Sequence, residues 1–115
     1  MITKKVLLGQ LAYARSGDKG TNSNIGVIAY SAEGYKLLAE RLTTDNVAVF
    51  FQHLGLRGVK RYELANLWAL NFILEGALAG GGSRSLRIDA QGKALGQAIL
   101  EMVVDVPEDF ILGAM

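Results

Sequence analysis

The residues best suited to chemistry in this 115-residue sequence lie in the segment Arg15–Gly26, which reads RSGDKGTNSNIG. Glycines let backbone N–H groups converge on a ligand, and a helix starting at Asn22 or Ser23 would add the positive end of its dipole. Arginine and lysine supply positive charge, and asparagines supply amides. We therefore predict a site for a carboxylate or a phosphate formed by Arg15, Gly17, Asp18, Lys19, Gly20, Asn22 and Asn24.

This segment matches neither common nucleotide-binding motif. Its spacing differs from the Walker A pattern G-x-x-x-x-G-K-[ST] and from the dinucleotide pattern G-x-G-x-x-G. A structural interpretation is also open, namely a tight turn in which Arg15 pairs with Asp18, followed by a helix that an asparagine caps. Both interpretations place a junction between a strand and a helix here.

The second candidate segment is Gly80–Lys93, which reads GGGSRSLRIDAQGK. Each glycine costs of order 0.5–1 kcal/mol relative to alanine when it is ordered, and ending a helix requires only one. Close approach of the backbone to a ligand or to another chain explains three in a row. The predicted ligand-binding residues are Gly81, Gly82, Arg84, Ser85, Asp89 and Lys93. Alternatively, Asp89 and Lys93 form a simple i, i+4 pair on a helix.

Composition excludes several kinds of site. The chain has no cysteine, which excludes disulfides, thiolate metal sites and a cysteine nucleophile, and its single histidine cannot form a histidine-rich metal cage. We therefore predict neither a metal nor a cofactor, and no catalytic residue is assigned. Asn71 falls within an apolar stripe, so we predict that it is buried and hydrogen-bonded.

Charge and hydrophobicity limit the partners. Twelve basic against 11 acidic residues give a net charge of +1, which argues against nucleic acid. The run Leu64–Leu74 is shorter than the ~20 apolar residues of a membrane span, so we predict a cytoplasmic protein without a membrane partner. Because 50% of the residues are hydrophobic, a small domain is expected to bury some of them in a homo-oligomer.

Helices and strands alternate along the sequence. The patterns predict strands over Lys5–Ala14, Val59–Leu64, Ser83–Asp89 and Met102–Val106. They predict helices starting at Asn22 or Ser23, following Ser31, and over Asn46–His53, Leu67–Leu78 and Ala94–Leu100. One domain over residues 1–115 is expected. Its predicted class is α+β, a two-layer sandwich with helices on one face of a mainly antiparallel sheet.

An ordered set of short motifs resembles a known family. The set comprises Arg15–Gly20, Asn24–Gly26, Arg61–Leu64, Leu70–Phe72, Gly81-Gly82, Ser85–Asp89 and Gly92-Lys93. In order and spacing it resembles the C-terminal ferredoxin-fold domain of the acyclic terpene utilisation (AtuA-like) family, over nearly the whole chain and in a stand-alone form. The sequence departs from the family at Ala65, where a proline is expected, and at Thr21, where an acidic or amide residue is expected.

The resemblance implies a ferredoxin-like βαββαβ sandwich with additional helices, and a role in breaking down acyclic terpenoids or branched acids, including their acyl-CoA thioesters. It implies no iron–sulfur chemistry, because the name describes a fold and the chain has no cysteine. It gives no reaction either. The leading hypothesis is an accessory domain that binds a small anionic ligand beside a separate AtuA-type large-domain protein.

Two alternatives stay open. The domain is a structural module for oligomerisation or docking, or it is a hydratase or lyase subunit acting on an enoyl thioester. The enzyme would use Asp18 or Asp89 as its acid or base, which requires a carboxyl group that holds its proton. Neighbouring lysine and arginine residues favour the ionised form instead, so this alternative ranks last.

Overall fold

The computed structural model describes residues 2–77 and 95–110. Its strands are β1 (Thr3–Leu7), β2 (Ala12–Lys19), β3 (Asn22–Ala29), β4 (Gly58–Leu64), β5 (Ala69–Glu75) and β6 (Val103–Pro107). Its helices are α1 (Ala32–Arg41) and α2 (Thr44–Phe50), and residues 95–99 are also helical. Single 3-10 turns occupy Leu8–Gln10, Gln52–Leu54 and Ala65–Leu67.

The strands form two antiparallel sheets, a four-stranded sheet in the order β2-β3-β5-β4 and a two-stranded sheet of β1 and β6. Strands β3 and β4 are both antiparallel to β5, which lies between them, and α1 and α2 connect them. This split β-α-β unit is the feature that ferredoxin-like folds share. The predicted class, an α+β ferredoxin-like sandwich, is therefore confirmed.

The helices cover one face of the four-stranded sheet, which we call the inner face. Alternate residues of β3 are buried there, and their neighbours on β5 follow the same alternation. They join the helices and the two-stranded sheet in one core. Its fully buried members include Leu8, Ile25, Val27, Leu38, Leu42, Val47, Phe51, Leu70, Phe72, Leu74, Ile99 and Val106.

Polar side chains fix the ends of both helices. Ser31 Oγ accepts a hydrogen bond from the Gly34 N–H at 3.0 Å, and Thr43 Oγ1 accepts one from the Asn46 N–H at 3.1 Å. These caps mark the starts of the helices predicted after Ser31 and over Asn46–His53. At the other end of α1, Arg61 Nη1 on β4 donates to the Ala39 and Leu42 carbonyls at 2.9 and 3.0 Å, which attaches the helix to the sheet.

The prediction of one strand over Lys5–Ala14 is wrong. The chain turns at Leu8–Gln10 and passes from the two-stranded sheet to the four-stranded sheet. Contacts with residues distant in sequence cause the turn: the Leu8 N–H donates to the Met102 carbonyl at 2.7 Å and the Gly9 N–H to the Leu100 carbonyl at 2.9 Å.

The helix predicted from Asn22 or Ser23 is also wrong. Arg15–Lys19 continues β2, and a turn at Gly20 and Thr21 leads directly into β3. Gly20 has a φ of +66°, a conformation that glycine adopts without strain. Pairing with β2 and β5 on both sides overrides the helical interpretation, because each inward residue of β3 then reaches the core.

The helix predicted over Leu67–Leu78 is wrong for a similar reason. The segment contains β5, whose Leu70, Phe72 and Leu74 all point into the core. Leu70 and Leu74 are four residues apart, a spacing that fits a helix turn and two steps of strand alternation equally well.

The remaining elements agree with the sequence within the described residues. Strands β4 and β6, helix α2 and the helical residues 95–99 confirm the predictions over Val59–Leu64, Met102–Val106, Asn46–His53 and Ala94–Leu100. The strand predicted over Ser83–Asp89 lies outside the described residues.

Candidate ligand-binding site

The candidate site lies on the outer face, the face of the four-stranded sheet opposite the helices. The strand register arranges its residues in rows that cross the sheet from β2 through β3 and β5 to β4. The first row is Tyr13, Ile28, Ala69 and Leu64; the second is Arg15, Gly26, Asn71 and Tyr62; the third is Gly17, Asn24, Ile73 and Lys60.

The outer face therefore changes in polarity along the strands. The first row is apolar except for the hydroxyl of Tyr13, whereas the second contains a guanidinium and an amide and the third an amide and an ammonium. Such a gradient is complementary to a molecule that has an aliphatic part and an anionic end.

A groove of about 350 Å³ runs over the first two rows. This volume falls at the lower end of the ~300–1,000 Å³ typical of small-molecule sites. Its lining is mainly apolar, with Arg15, Asn71 and Tyr13 as its polar members. We call it the outer-face groove, and its lining residues are Tyr13, Arg15, Gly26, Ile28, Leu64, Leu67, Ala69, Leu70 and Asn71.

Gly26 lies in the middle of this lining. Its φ is not positive, so its backbone does not require glycine. A Cβ built there would approach no atom closer than 3.9 Å, so packing does not require it either. Glycine inside a strand weakens it and often marks the close approach of a ligand or another backbone. Gly26 therefore has room for a methyl group, which would meet three atoms at ordinary van der Waals distance, and the fold leaves that room unfilled.

Arg15 and Asn71 lie on either side of Gly26 in the second row. Arg15 is exposed, and in the described part of the chain no carboxylate lies within ion-pair distance of it. Asn71 is half-buried, and its Oδ1 accepts a hydrogen bond from Asn24 Nδ2 at 2.8 Å. The prediction that Asn71 is hydrogen-bonded is thus confirmed, although it belongs to a strand.

The structure divides the first predicted cluster between two faces. Arg15, Gly17 and Asn24 occupy the outer face, whereas Asp18 alternates to the inner side, where it pairs in register with the buried Ser23. Arg15 and Asp18 are three residues apart on one strand and point in opposite directions. The predicted pair between them is therefore wrong.

Other members of the cluster support the hairpin. Gly20 forms its turn, and the backbone of Lys19 pairs with Asn22. Asn22 Oδ1 accepts from the Gly76 N–H at 2.9 Å, which secures the turn after β5. Since no helix begins at Asn22 or Ser23, the predicted contribution of a helix dipole is wrong. Within the described residues, Arg15 is the cation that lines the groove.

The second predicted cluster cannot be placed. Gly81, Gly82, Arg84, Ser85, Asp89 and Lys93 lie outside the described residues, so their role as ligand-binding residues stays a prediction. The chain returns beside the first cluster at Gly96, whose N–H donates to Ser16 Oγ at 2.8 Å.

Sequence reasoning missed most of the groove lining. Tyr13, Ile28, Leu64, Leu67 and Ala69 come from distant parts of the chain and converge only through the pairing of four strands. The one sequence signal for these lining residues is that apolar residues occur at positions facing both sides of a strand.

Two further findings concern the described residues alone. They contain no group of three or more histidine, cysteine, aspartate or glutamate side chains placed to hold a metal ion. None of the helices found in them has the length and hydropathy needed to cross a membrane.

Comparison with known proteins gives a family. The family model described as the AtuA ferredoxin-like domain matches residues 6–105, from β1 into β6. Searches of curated proteins and of solved structures gave no significant match.

Proposed function

Because the chain belongs to the AtuA ferredoxin-like domain family, we propose that it is an accessory domain that binds a small carboxylate or acyl-CoA-type anion in the catabolism of acyclic terpenoids or branched acids. The family name associates the domain with acyclic terpene utilisation. We further propose that the outer-face groove is the binding site, and that a separate AtuA-type large-domain protein is a partner.

The observation that carries the proposal is the room for a side chain at Gly26, where a Cβ would meet its neighbours only at ordinary van der Waals distance. The position is central in a sheet, where a side chain would strengthen the strand, yet the residue present leaves room on the groove floor that a Cβ could occupy. A ligand that occupies this space contacts both the apolar row and the polar row.

The lining suits both ends of such a ligand. Arg15 provides hydrogen-bond donors for an anionic end, and bonds of this kind to charged groups contribute about 1.5–3 kcal/mol. Ile28, Leu64 and Leu67 provide apolar area for a branched chain, at about 25 cal/mol per Å² buried. The groove is open to solvent, so it can also accept a thioester whose carrier extends away from the sheet.

Titration calorimetry tests the proposal with geranic acid, an acyclic terpenoid acid, and with its CoA thioester. We expect binding of at least one ligand to the parent protein, and its loss in Gly26→Val, which fills the groove floor. Arg15→Ala should weaken binding by about tenfold or more. Lys60→Ala is the matched control, since it removes an outer-face cation that does not line the groove.

Two results would contradict the proposal. One is the absence of heat with both ligands. The other is equal affinity in the parent and in a folded Gly26→Val variant, because the groove would then not be the site.

The hydratase or lyase hypothesis gains no support from this groove. Among the residues that the structure describes, its lining includes no aspartate or glutamate that could act as an acid or base. We therefore propose binding rather than catalysis for the outer face.

Self-association is a second candidate function, and the outer edge of β6 favours it. Hydrogen bonds run from Leu8 N–H to the Met102 carbonyl and from Glu108 N–H to the Ile2 carbonyl. They show that the even-numbered residues of this strand direct their backbone N–H and C=O groups toward β1. Among the odd-numbered residues, Val103 and Asp105 therefore direct their backbone N–H groups outward, whereas Pro107 has no N–H and the Asp105 carbonyl already accepts from Arg41 Nε at 3.0 Å.

A groove of about 370 Å³ lies between this edge and α2. Val103 on the strand and Val49 on the helix are 59% and 63% exposed beside it. Exposed strand edges with apolar side chains promote pairing with another chain, and a second two-stranded sheet would extend this one to four strands.

Light scattering tests this candidate. We expect a dimer for the parent, a monomer for Val103→Lys, and a dimer for the control Tyr62→Lys, which changes an exposed residue on the outer face of the other sheet. A monomeric parent at high concentration would rule the candidate out.

A further inference from the structure

We infer that Leu67 makes the outer-face groove prefer long acyclic acids to short ones, and that Trp68 is a positioning residue whose backbone holds Leu67 at the far end of the groove. The inference rests on the proposed function. It adds the residues that select the length of the ligand, which the volume of the groove alone does not give.

The first step is the separation between the two ends of the groove. Arg15 belongs to β2 at one edge of the sheet, whereas Leu64 ends β4 at the other edge and Leu67 follows it. Three spacings of about 4.8 Å separate the outermost strands of a four-stranded sheet, ~14 Å in all. An acid whose carboxylate binds Arg15 therefore reaches Leu67 only if its chain extends toward the opposite edge.

The second step is the exposure of Leu67. This leucine lines the groove and is 60% exposed. Within the described residues, it belongs neither to the hydrophobic core nor to the side chains packed against that core. Folding therefore gains little from its side chain. A ligand chain that covers Leu67 removes from water an apolar surface that the protein leaves exposed, and this favours binding of that ligand.

The third step is the backbone of Trp68. Leu64 pairs with Ala69, so residues 65–68 form the loop between β4 and β5, and Trp68 closes this loop with a φ of +54°. Among the described residues it is the only one other than glycine with a positive φ. L-residues rarely adopt this conformation, because Cβ then approaches the following carbonyl oxygen. Such positions persist where the surrounding structure imposes them, and ligand clamps are among these places.

Two backbone hydrogen bonds impose the conformation. The Trp68 N–H donates to the Ala65 carbonyl at 3.1 Å, and the Trp68 carbonyl accepts from the Ala29 N–H on β3 at 2.8 Å. Because the loop is anchored to β4 at one end and to β3 at the other, the φ of Trp68 determines where the preceding residue lies. That residue is Leu67, so a change of backbone conformation at Trp68 moves the far end of the groove.

Calorimetry with two acids tests the role of Leu67. Geranic acid and senecioic acid share a branched, unsaturated head group, but geranic acid has ten carbons and senecioic acid has five. We expect the parent to prefer geranic acid by about tenfold or more, because the longer chain buries additional methylene groups. Leu67→Ala should lower this preference by about fivefold, through weaker binding of geranic acid alone. Leu7→Ala is the matched control, since it shortens an exposed leucine of the other sheet.

Substitutions at Trp68 separate the role of its backbone from that of its ring. Glycine adopts a positive φ without strain and asparagine tolerates it, so Trp68→Gly and Trp68→Asn should keep most of the preference. Trp68→Val opposes the conformation and should lower the preference about as much as Leu67→Ala does. If Trp68→Gly and Trp68→Asn lose the preference, the ring is responsible and the positioning role is wrong. These two variants decide the question even if Trp68→Val does not fold.

The fluorescence of Trp68, the only tryptophan in the chain, reports directly on this end of the groove. Geranic acid should shift its emission and senecioic acid should not, because only the longer acid reaches Leu67 beside it. Equal shifts with both acids would overturn the inference.

Two failures are distinguishable. If the parent binds both acids equally well, or if Leu67→Ala keeps the full preference, the inference is wrong while the proposed function stands. If the parent binds neither these acids nor the CoA thioester, the proposed function fails first and the inference fails with it.

Discussion

On the inner side of the four-stranded sheet, a Cβ added to Gly96 would come within 2.9 Å of Ser16 Oγ and 3.2 Å of the Ser16 amide nitrogen. On the outer face, a Cβ added to Gly26 would approach nothing closer than 3.9 Å. Packing therefore requires the first glycine and leaves the second unexplained. The inner side of the sheet is therefore packed against other parts of the same chain, whereas the outer face has room for another molecule.

The largest expected effect concerns aromatic residues on the two faces. Phe72→Ala removes a fully buried inner-face ring and should lower the free energy of unfolding by about 3–5 kcal/mol. Tyr62→Ala on the neighbouring strand removes a half-exposed outer-face ring and should change it far less, by about 1 kcal/mol or below. Urea unfolding of both variants measures their free energies of unfolding. Equal decreases in the two variants would contradict the assignment of the inner and outer faces.

The two glycines provide the next contrast. Gly96→Ala forces the helical segment away from β2 and should destabilise the protein by about 1–3 kcal/mol. Gly26→Ala has room for its methyl group and restricts the unfolded chain, so it should be neutral or stabilising by about 0.4–1 kcal/mol. Thermal unfolding distinguishes them. A marked loss in Gly26→Ala would mean that the fold itself requires this glycine.

Two arginines give a smaller contrast. Arg61→Met on the inner side leaves two carbonyls at the end of α1 without their donor and should cost about 1–3 kcal/mol. Arg15→Met on the outer face breaks no ion pair within the described residues and should leave stability almost unchanged while it weakens ligand binding. Chemical denaturation and calorimetry together check both halves of the prediction.

The smallest effect is expected at the polar end of the outer face. Lys60 and Glu75 lie 3.5 Å apart, and the lysine side chain is 60% exposed. Surface pairs of this kind contribute ~0–1 kcal/mol, so Lys60→Met should shift the unfolding midpoint only slightly at low salt and not at high salt. A large shift that persists in salt would show that this end of the face is less solvated than its exposure indicates.

Local signals in the sequence were sufficient where neighbours in the chain form the structure. The helices predicted after Ser31 and over Asn46–His53 both form and are capped by Ser31 and Thr43, and the alternation of Val59–Leu64 identified a strand. The same local signals were insufficient where pairing between distant strands determines the secondary structure. Asn22–Ala29 forms a strand because β2 and β5 flank it, which no window of the sequence reveals.

The candidate site shows the same limit. Arg15 and Asn24 could be selected from their types, because a cation and an amide beside glycines are typical of anion sites. Asp18 was grouped with them because the segment was predicted to be a turn. In the structure the segment is a strand, and strand alternation places Asp18 on the opposite face from Arg15 and Asn24. The apolar half of the groove required the register of four strands, and residue types alone could not supply it.

The pairing of β1 with β6 brings Thr3 beside Pro107. In a variant trimmed to Thr3 and Pro107, a short linker between these two strand ends would therefore produce a circular chain without stretching the fold, and opening it in the turn at Gly20 and Thr21 would create new ends at an exposed hairpin. Such a circular permutant keeps every cross-strand row of the outer face. It would let the hairpin be attached to a second protein while the opposite side of the sheet stays packed.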